Sequence, residues 1–76
     1  MKIGKSLAQL DIEALELLRK EDGCEHVFSV SAYRIDDTMF GLRDLVAGQA
    51  DEAAAEQGRL NVERDLQQRY SLIRRD

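Results

Sequence analysis

A chain of 76 residues with one cysteine, no proline and a net charge of −4 has room for one domain with a modest core. The single cysteine excludes a disulfide within the chain, and no apolar run approaches the roughly 20 residues that cross a membrane. The basic N-terminus is not followed by an apolar stretch, so we expect one cytoplasmic domain over residues 1–76 that does not bind membranes.

The first predicted helix spans residues 7–21. Ser6 and Gln9 have the spacing of a capping box, in which each side chain bonds the other residue's backbone N–H, and Asp11 is an alternative start. Gly23 is suited to end the helix. Apolar side chains recur at helical spacing in between and form the predicted buried stripe: Leu7, Leu10, Ala14, Leu17 and Leu18.

The central segment is organised by six apolar residues that follow one another at steps of four and three. That spacing is typical of one helix face and of a heptad seam. We therefore predict a helix over residues 29–47, ended by Gly48, with Gly41 as an unfavourable residue in its interior. The stripe includes Ala32, and the residues predicted to form the core or a self-association surface are Phe28, Ile35, Met39, Leu42 and Val46.

The start of this segment also alternates apolar and polar residues from Phe28 to Ala32, which is typical of a strand. A strand needs a neighbour, and the other short candidate in the chain is the segment 2–4. The heptad accommodates the same residues without that requirement. We therefore predict an all-α fold, and the alternative is an α+β fold with one short strand near residues 26–35, after which Asp36 or Asp37 caps a shorter helix.

The third predicted helix spans residues 51–74. Asp51 is a candidate N-cap, and the alanines at 53–55 favour helix. Its apolar stripe is narrow and begins with small side chains that bury little area: Ala54, Gly58, Val62, Leu66 and Tyr70. Because two or three such helices form so small a core in one chain, we predict a homodimer in which each subunit is a helical hairpin.

No set of side chains has the spacing of a catalytic or cofactor site. Cys24 and His26 are two residues apart, but two ligands leave a zinc site incomplete. Asp36 and Asp37 are adjacent and would face different directions on a helix, and glycine motifs for phosphates or dinucleotides are absent. We predict neither an enzyme nor a bound cofactor; a small metal-binding module that uses Cys24 and His26 is one alternative.

The C-terminal part of the chain is rich in arginine. Successive arginines five residues apart turn by roughly 140° around a helix, so they do not share one face. The net charge of −4 is also the opposite of the positive charge that is typical of nucleic-acid-binding domains. A nucleic-acid-associated transcriptional regulator that uses this helix is the other alternative; its residues would be Arg59, Arg64, Arg69, Arg74 and Arg75.

Binding of a larger protein has the best support in the sequence. Tyr33 and Phe40 are seven residues apart and lie beside the stripe of the predicted helix, where Arg43 adds a residue type that anchors many interfaces. Packing of the two rings beneath another helix is the alternative. We expect a regulator, inhibitor, adaptor or chaperone of the size common in bacteria and phages. Its predicted partner-binding residues are Tyr33, Asp36, Asp37, Phe40 and Arg43.

Overall fold

Two helices and four short strands make up the fold, which is therefore α+β and not the predicted all-α class. The computed structural model describes residues 2–73. The elements follow in the order β1 (Ile3–Lys5), α1 (Leu7–Leu18), β2 (Ser29–Arg34), β3 (Phe40–Val46), α2 (Glu52–Arg69) and β4 (Tyr70–Leu72).

The central helix predicted over residues 29–47 is wrong, because β2 and β3 form an antiparallel hairpin there. Ala32 pairs with Leu42, and Tyr33 pairs with Gly41. The strand alternative placed one strand correctly within residues 26–35, but its neighbour is β3 of the same chain. The spacing of four and three between the apolar residues led to the wrong prediction because these residues come from both faces of the hairpin. Along each strand, residues on the same face recur every two positions.

The two faces of the hairpin divide the predicted apolar stripe. Phe40 and Leu42 lie on the inner face and are buried with Val30 in the core. Of the predicted stripe, Leu42 is therefore in the core and Ala32 is half-buried against it, whereas the other four residues are exposed, which corrects the expectation that these four form a core within the chain. Their exposed fractions are 69% for Phe28, 54% for Ile35, 38% for Met39 and 48% for Val46.

A bulge in β3 brings Val46 to the outer face. Ser31 pairs with Arg43 and Ser29 pairs with Val46, so β3 has one more residue than β2 between these two pairs. Asp44 lies in the bulge with a φ of 56°, a left-handed conformation that aspartate tolerates better than most residues. The alternation of β3 therefore shifts by one residue near the open end of the hairpin.

Helix α1 covers part of the inner face. Its predicted capping box is confirmed, with hydrogen bonds between Ser6 and Gln9 of 2.9 and 3.2 Å. Residues four apart on α1 point into the core: Leu10, Ala14 and Leu18. The helix ends three residues before the predicted position 21, because the N–H groups of Lys20 and Glu21 bond carbonyls three residues back and tighten the chain into turns.

Helix α2 lies beside α1 and ends at Arg69, earlier than the predicted residue 74, which lies outside the described residues. Its buried residues belong to the predicted stripe or adjoin it: Ala55, Gly58, Val62 and Leu66. Beyond the helix the chain extends into β4, which pairs in parallel with β1 and aligns Ile3 with Tyr70. The N–H of Leu72 also donates to the carbonyl of Thr38 at 2.8 Å, which connects β4 to the turn of the hairpin.

Candidate protein-docking face

One face of the β2–β3 hairpin points away from the core. Its inner face packs Val30, Phe40 and Leu42 into the core with the two helices, so the alternate residues lie on the solvent side. We call this side the hairpin outer face, and it consists of Ser29, Ser31, Tyr33, Ile35, Met39, Gly41, Arg43 and Val46.

Apolar side chains occupy both ends of the hairpin outer face. At the turn end, the N–H of Ile35 donates to the carbonyl of Met39 at 2.9 Å, which places these two exposed residues side by side. At the open end lies Val46, also exposed, and the neighbouring Phe28 donates its N–H to the Val46 carbonyl at 2.9 Å. Apolar surface is therefore available at the two ends of one continuous face.

The centre of the outer face is built from Tyr33, Gly41 and Arg43. The guanidinium carbon of Arg43 lies 4.8 Å from the centre of the Tyr33 ring, within the range of a cation–π contact. A Cβ atom at Gly41 would lie 2.8 Å from Cε1 of Tyr33, so only glycine lets the ring lie flat against β3. The absence of a side chain at Gly41 therefore decides where the Tyr33 ring sits.

The outward edge of β3 is covered by side chains of α2. Nη1 of Arg59 donates to the Leu42 carbonyl at 2.9 Å, and the Leu42 N–H donates to Oε2 of Glu63 at 2.7 Å. Nε2 of Gln67 donates to the Phe40 carbonyl at 2.7 Å. The three helical residues are four apart, so they follow one side of α2 along the strand. Backbone groups that could pair with another strand are thereby occupied.

The outward edge of β2 is engaged by α1 in a similar way. The N–H of Ala32 donates to Oδ1 of Asp11, and Nε of Arg19 donates to the carbonyl of Val27, just before the strand, at 3.1 Å. These side chains oppose addition of a strand at the positions that they occupy. At these positions the edges of the hairpin are therefore occupied, whereas Ile35, Met39 and Val46 of its outer face are exposed to solvent.

The turn of the hairpin is held by side chains as well. Oδ1 of Asp36 accepts the N–H groups of Thr38 at 2.9 Å and Met39 at 2.8 Å, and these hydrogen bonds lower the pKa of the Asp36 carboxyl. Arg34 donates to the carbonyls of Asp36, Asp37 and Ile73. These bonds order the turn and leave the Asp37 side chain exposed at its tip.

A groove of about 790 Å³ runs between the second half of β3 and the first half of α2. Its central cation, Arg59, bonds the carboxylates of Glu56 and Glu63 as well as the Leu42 carbonyl. The hydrogen bond between Arg59 and Glu56 raises the pKa of the guanidinium and lowers the pKa of the carboxyl. Arg59 and Glu63 thus join α2 to β3, whereas Tyr33 and Arg43 of the hairpin outer face line the same groove without bonding α2.

The predicted partner-binding residues divide between the two faces. Tyr33 and Arg43 lie together on the outer face, with Asp36 and Asp37 at its turn end. Phe40 does not belong to this surface, because it lies on the inner face with no exposed area. Its expected role as a partner-binding residue is therefore corrected to a role in the core, in line with the packing alternative for the two rings.

Three helical side chains that were not predicted as functional residues cover the hairpin edges at Ala32, Leu42 and Phe40, namely Asp11, Glu63 and Gln67 respectively. The four-residue spacing of Arg59, Glu63 and Gln67 was a signal that one polar side of α2 follows a common neighbour. Nothing in the local sequence identifies that neighbour as β3.

Cys24 and His26, the two residues of the metal-binding alternative, differ in their exposure to solvent. The Cys24 thiol is fully buried and donates to the Ala54 carbonyl at 3.3 Å, and burial raises its pKa, whereas His26 is exposed. Within residues 2–73, no group of three or more histidine, cysteine, aspartate or glutamate side chains is arranged to share a metal ion.

The residues behind the nucleic-acid alternative are partly engaged in ion pairs. Arg59 bonds two glutamates, and Nε of Arg69 lies 3.4 Å from Oδ1 of Asp65, whereas Arg64 is exposed. Arg74 and Arg75 lie outside the described residues. In the part of the chain that the structure describes, no helix is long and apolar enough to span a membrane.

Comparisons with protein-family models, with curated proteins and with solved structures find no match for this chain.

Proposed function

We propose that this chain is a non-enzymatic interaction module that binds a larger protein on the hairpin outer face. One observation carries the proposal: Ile35, Met39 and Val46 are exposed on a single face that also presents a tyrosine and an arginine. Apolar area rimmed by polar groups marks interaction surfaces, and tyrosine and arginine are enriched among the residues that dominate binding energy.

The order of the hairpin supports this role. The turn is fixed by Asp36 and Arg34, and the two edges are held by side chains of α1 and α2. A surface that is ordered before binding loses less conformational entropy when its partner arrives. The outer face therefore offers its few large side chains in a defined arrangement, which suits a small inhibitor, adaptor or chaperone that acts by covering part of another protein.

Site-specific photo-crosslinking tests the proposal. A photoreactive residue is placed at Ile35 or Arg43 on the outer face, and at Glu16 or Gln57 on the exposed sides of the helices as matched controls. The chain is then irradiated in the cells that produce it. We expect discrete products heavier than twice 8.6 kDa from the outer-face positions, and none of these from the controls.

The pattern across positions decides the outcome. Such products should disappear when an excess of the unmodified chain is present, because a specific site is saturable. Equal labelling from Gln57 and Ile35, or heavy products from the helix positions alone, would overturn the proposal.

A further inference from the structure

We infer that the hairpin outer face also binds a second copy of this chain, in a two-fold symmetric dimer whose hairpins point in opposite directions. The inference rests on the proposed function, because it names one occupant of the same face. It commits to packing of one face on the other, with strands of the two copies roughly aligned as in other pairs of packed sheets.

The distribution of apolar residues makes the outer face complementary to itself. Ile35 and Met39 lie at the turn end, and Val46 lies at the open end, six residues away along β2 or roughly 20 Å. A two-fold axis that lies in the interface and crosses the strands near Tyr33 sets the turn end of each copy over the open end of the other. Apolar side chains then meet apolar side chains at both ends of the interface.

The charge of Arg43 favours this orientation over the parallel one, although Asp44 beside it carries the opposite charge and is 74% exposed. The exposed aspartates of the turn, Asp36 and Asp37, lie at one end of the hairpin, and Arg43 lies in the other half with 62% of its side chain exposed. With hairpins antiparallel, each Arg43 lies within a side chain's reach of the partner copy's turn. With hairpins parallel, arginine would face arginine and aspartate would face aspartate.

The contacts that Arg43 makes within its own chain leave it able to bind the second copy. Its Nε lies 3.6 Å from Oδ2 of Asp44, but both side chains are mostly exposed, and such surface pairs contribute little. Its stacking on Tyr33 holds the guanidinium over the middle of the face. The arginine is therefore positioned in advance where the antiparallel dimer requires it.

The occupied edges of the hairpin and the small area of its outer face limit which dimers can form. Pairing of β2 or β3 with the same strand of a second copy is opposed by Asp11, Glu63 and Gln67, which occupy edge groups. Burying roughly a tenth of the 5065 Å² surface, about 500 Å² per copy, would give an interface at the small end of specific complexes. We therefore expect a reversible dimer whose population rises with concentration. Any other protein that uses the outer face must compete with it.

Sedimentation velocity from about 5 to 500 μM tests the dimer with matched variants. The wild-type chain should shift from 8.6 kDa toward twice that mass as concentration rises. Ile35→Asp, and Val46→Asp as a second variant, should raise the dissociation constant at least about tenfold. Ile12→Asp places the same charge on an equally exposed isoleucine of α1 and should leave the dimer unchanged, and circular dichroism verifies that each variant is folded.

A charge-swap experiment tests the orientation. Arg43→Asp and Asp37→Arg should each be monomeric alone, because each variant would place like charges opposite one another in the antiparallel dimer. Mixed in equal amounts, they should form a heterodimer, because both cross-copy pairs again join aspartate to arginine. A mixture that remains monomeric, or a wild-type chain that is monomeric at 500 μM, would overturn the inference.

The two proposals fail in different ways. A monomeric wild-type chain that still crosslinks to a larger protein from Ile35 removes the second copy as an occupant and leaves the proposed function in place. A dimer that passes the charge-swap test, without heavier crosslinked products, supports the second copy and counts against a larger partner.

Discussion

The carboxylate of Glu63 on α2 accepts the backbone N–H of Leu42 on β3 at 2.7 Å, across 21 positions of sequence. This hydrogen bond occurs at an outward edge of a two-stranded hairpin, where the N–H would otherwise lack a strand to pair with. The same glutamate lies 3.4 Å from Nη1 of Arg59, which itself donates to the Leu42 carbonyl. The N–H and the carbonyl of Leu42 are thus both bonded by a charged pair of α2, and the side of the hairpin that remains open to solvent is its outer face.

Replacing Glu63 tests the importance of this edge contact. Glu63→Ala leaves the Leu42 N–H and part of Arg59 without their acceptor, and we expect a loss of about 1–3 kcal/mol in the free energy of unfolding. Urea denaturation measures the loss. Arg64→Ala, at the next position of α2 and exposed, serves as the control and should change stability by less than about 0.5 kcal/mol. Equal effects of the two variants would show that the edge contact does not stabilise the hairpin.

The two aromatic residues of the hairpin should respond oppositely to truncation. Phe40→Ala removes a fully buried ring and should cost about 3–5 kcal/mol, enough to unfold much of a domain this small. Tyr33→Ala removes a ring from the outer face, so the chain should stay folded while crosslinking from Ile35 to a partner weakens. Thermal unfolding followed by circular dichroism separates the cases; a Phe40→Ala variant as stable as the wild-type chain would contradict the inner placement of that ring.

Gly58 in α2 is required by packing. A Cβ atom there would lie 2.8 Å from Sγ of Cys24 and 3.0 Å from Cδ1 of Leu18, both in the core. Gly58→Ala should therefore destabilise the domain by about 1–3 kcal/mol from overpacking, offset by about 1 kcal/mol of helix propensity.

The partner variant for this test is Cys24→Ala, which removes the sulfur that the new methyl group would meet. In a double-mutant cycle by denaturation, we expect the pair Gly58→Ala and Cys24→Ala to be more stable than the sum of the single changes predicts. Additive effects would show that the two positions do not share one limited space.

The Asp36 carboxylate should give the hairpin turn a distinct pH dependence. Hydrogen bonds from the N–H groups of Thr38 and Met39 lower its pKa in the folded chain. Its contribution to stability is therefore fully present above the pKa of an unfolded aspartate, about 3.9, and is lost as pH falls through the lower folded value.

An NMR titration measures this effect directly. The amide signals of Thr38 and Met39 should shift together with a midpoint below that of an unperturbed aspartate. Asp36→Asn keeps a side-chain oxygen that can accept the same N–H groups and should abolish the titration without opening the turn. A midpoint at or above the ordinary aspartate value would contradict the assigned hydrogen bonds.

Local features of the sequence were sufficient to predict α1 and most of α2. The capping box of Ser6 and Gln9, and the four-residue spacing of Leu10, Ala14 and Leu18, involve residues within one or two turns of each other. These features can be recognised in the sequence alone because helix hydrogen bonds and neighbouring side chains join residues three or four apart.

The hairpin was mispredicted because its apolar residues satisfy two periods at once. The steps from Phe28 to Val46 match a helix, although Gly41 in the middle was unfavourable there, and Asp36 was more apt for a turn. A helix would have exposed Phe40 beside the stripe, whereas the hairpin buries it opposite the outer face. The spacing of the apolar residues could not distinguish a helix from a hairpin, since both structures bury some of these residues and expose others.

By itself, the sequence was enough to predict α1 with its Ser6–Gln9 capping box, most of α2, and the acidic, single-cysteine character of a small domain. Only the tertiary structure decided that Ile3 pairs with Tyr70, that Leu42 bonds Glu63, and that Tyr33 and Arg43 share an exposed face. Strand pairing and edge capping join residues that are distant in sequence or depend on register, and a shift of one residue exchanges the buried and exposed faces. The candidate docking face therefore follows from the register of the hairpin and from which edges the helices cover.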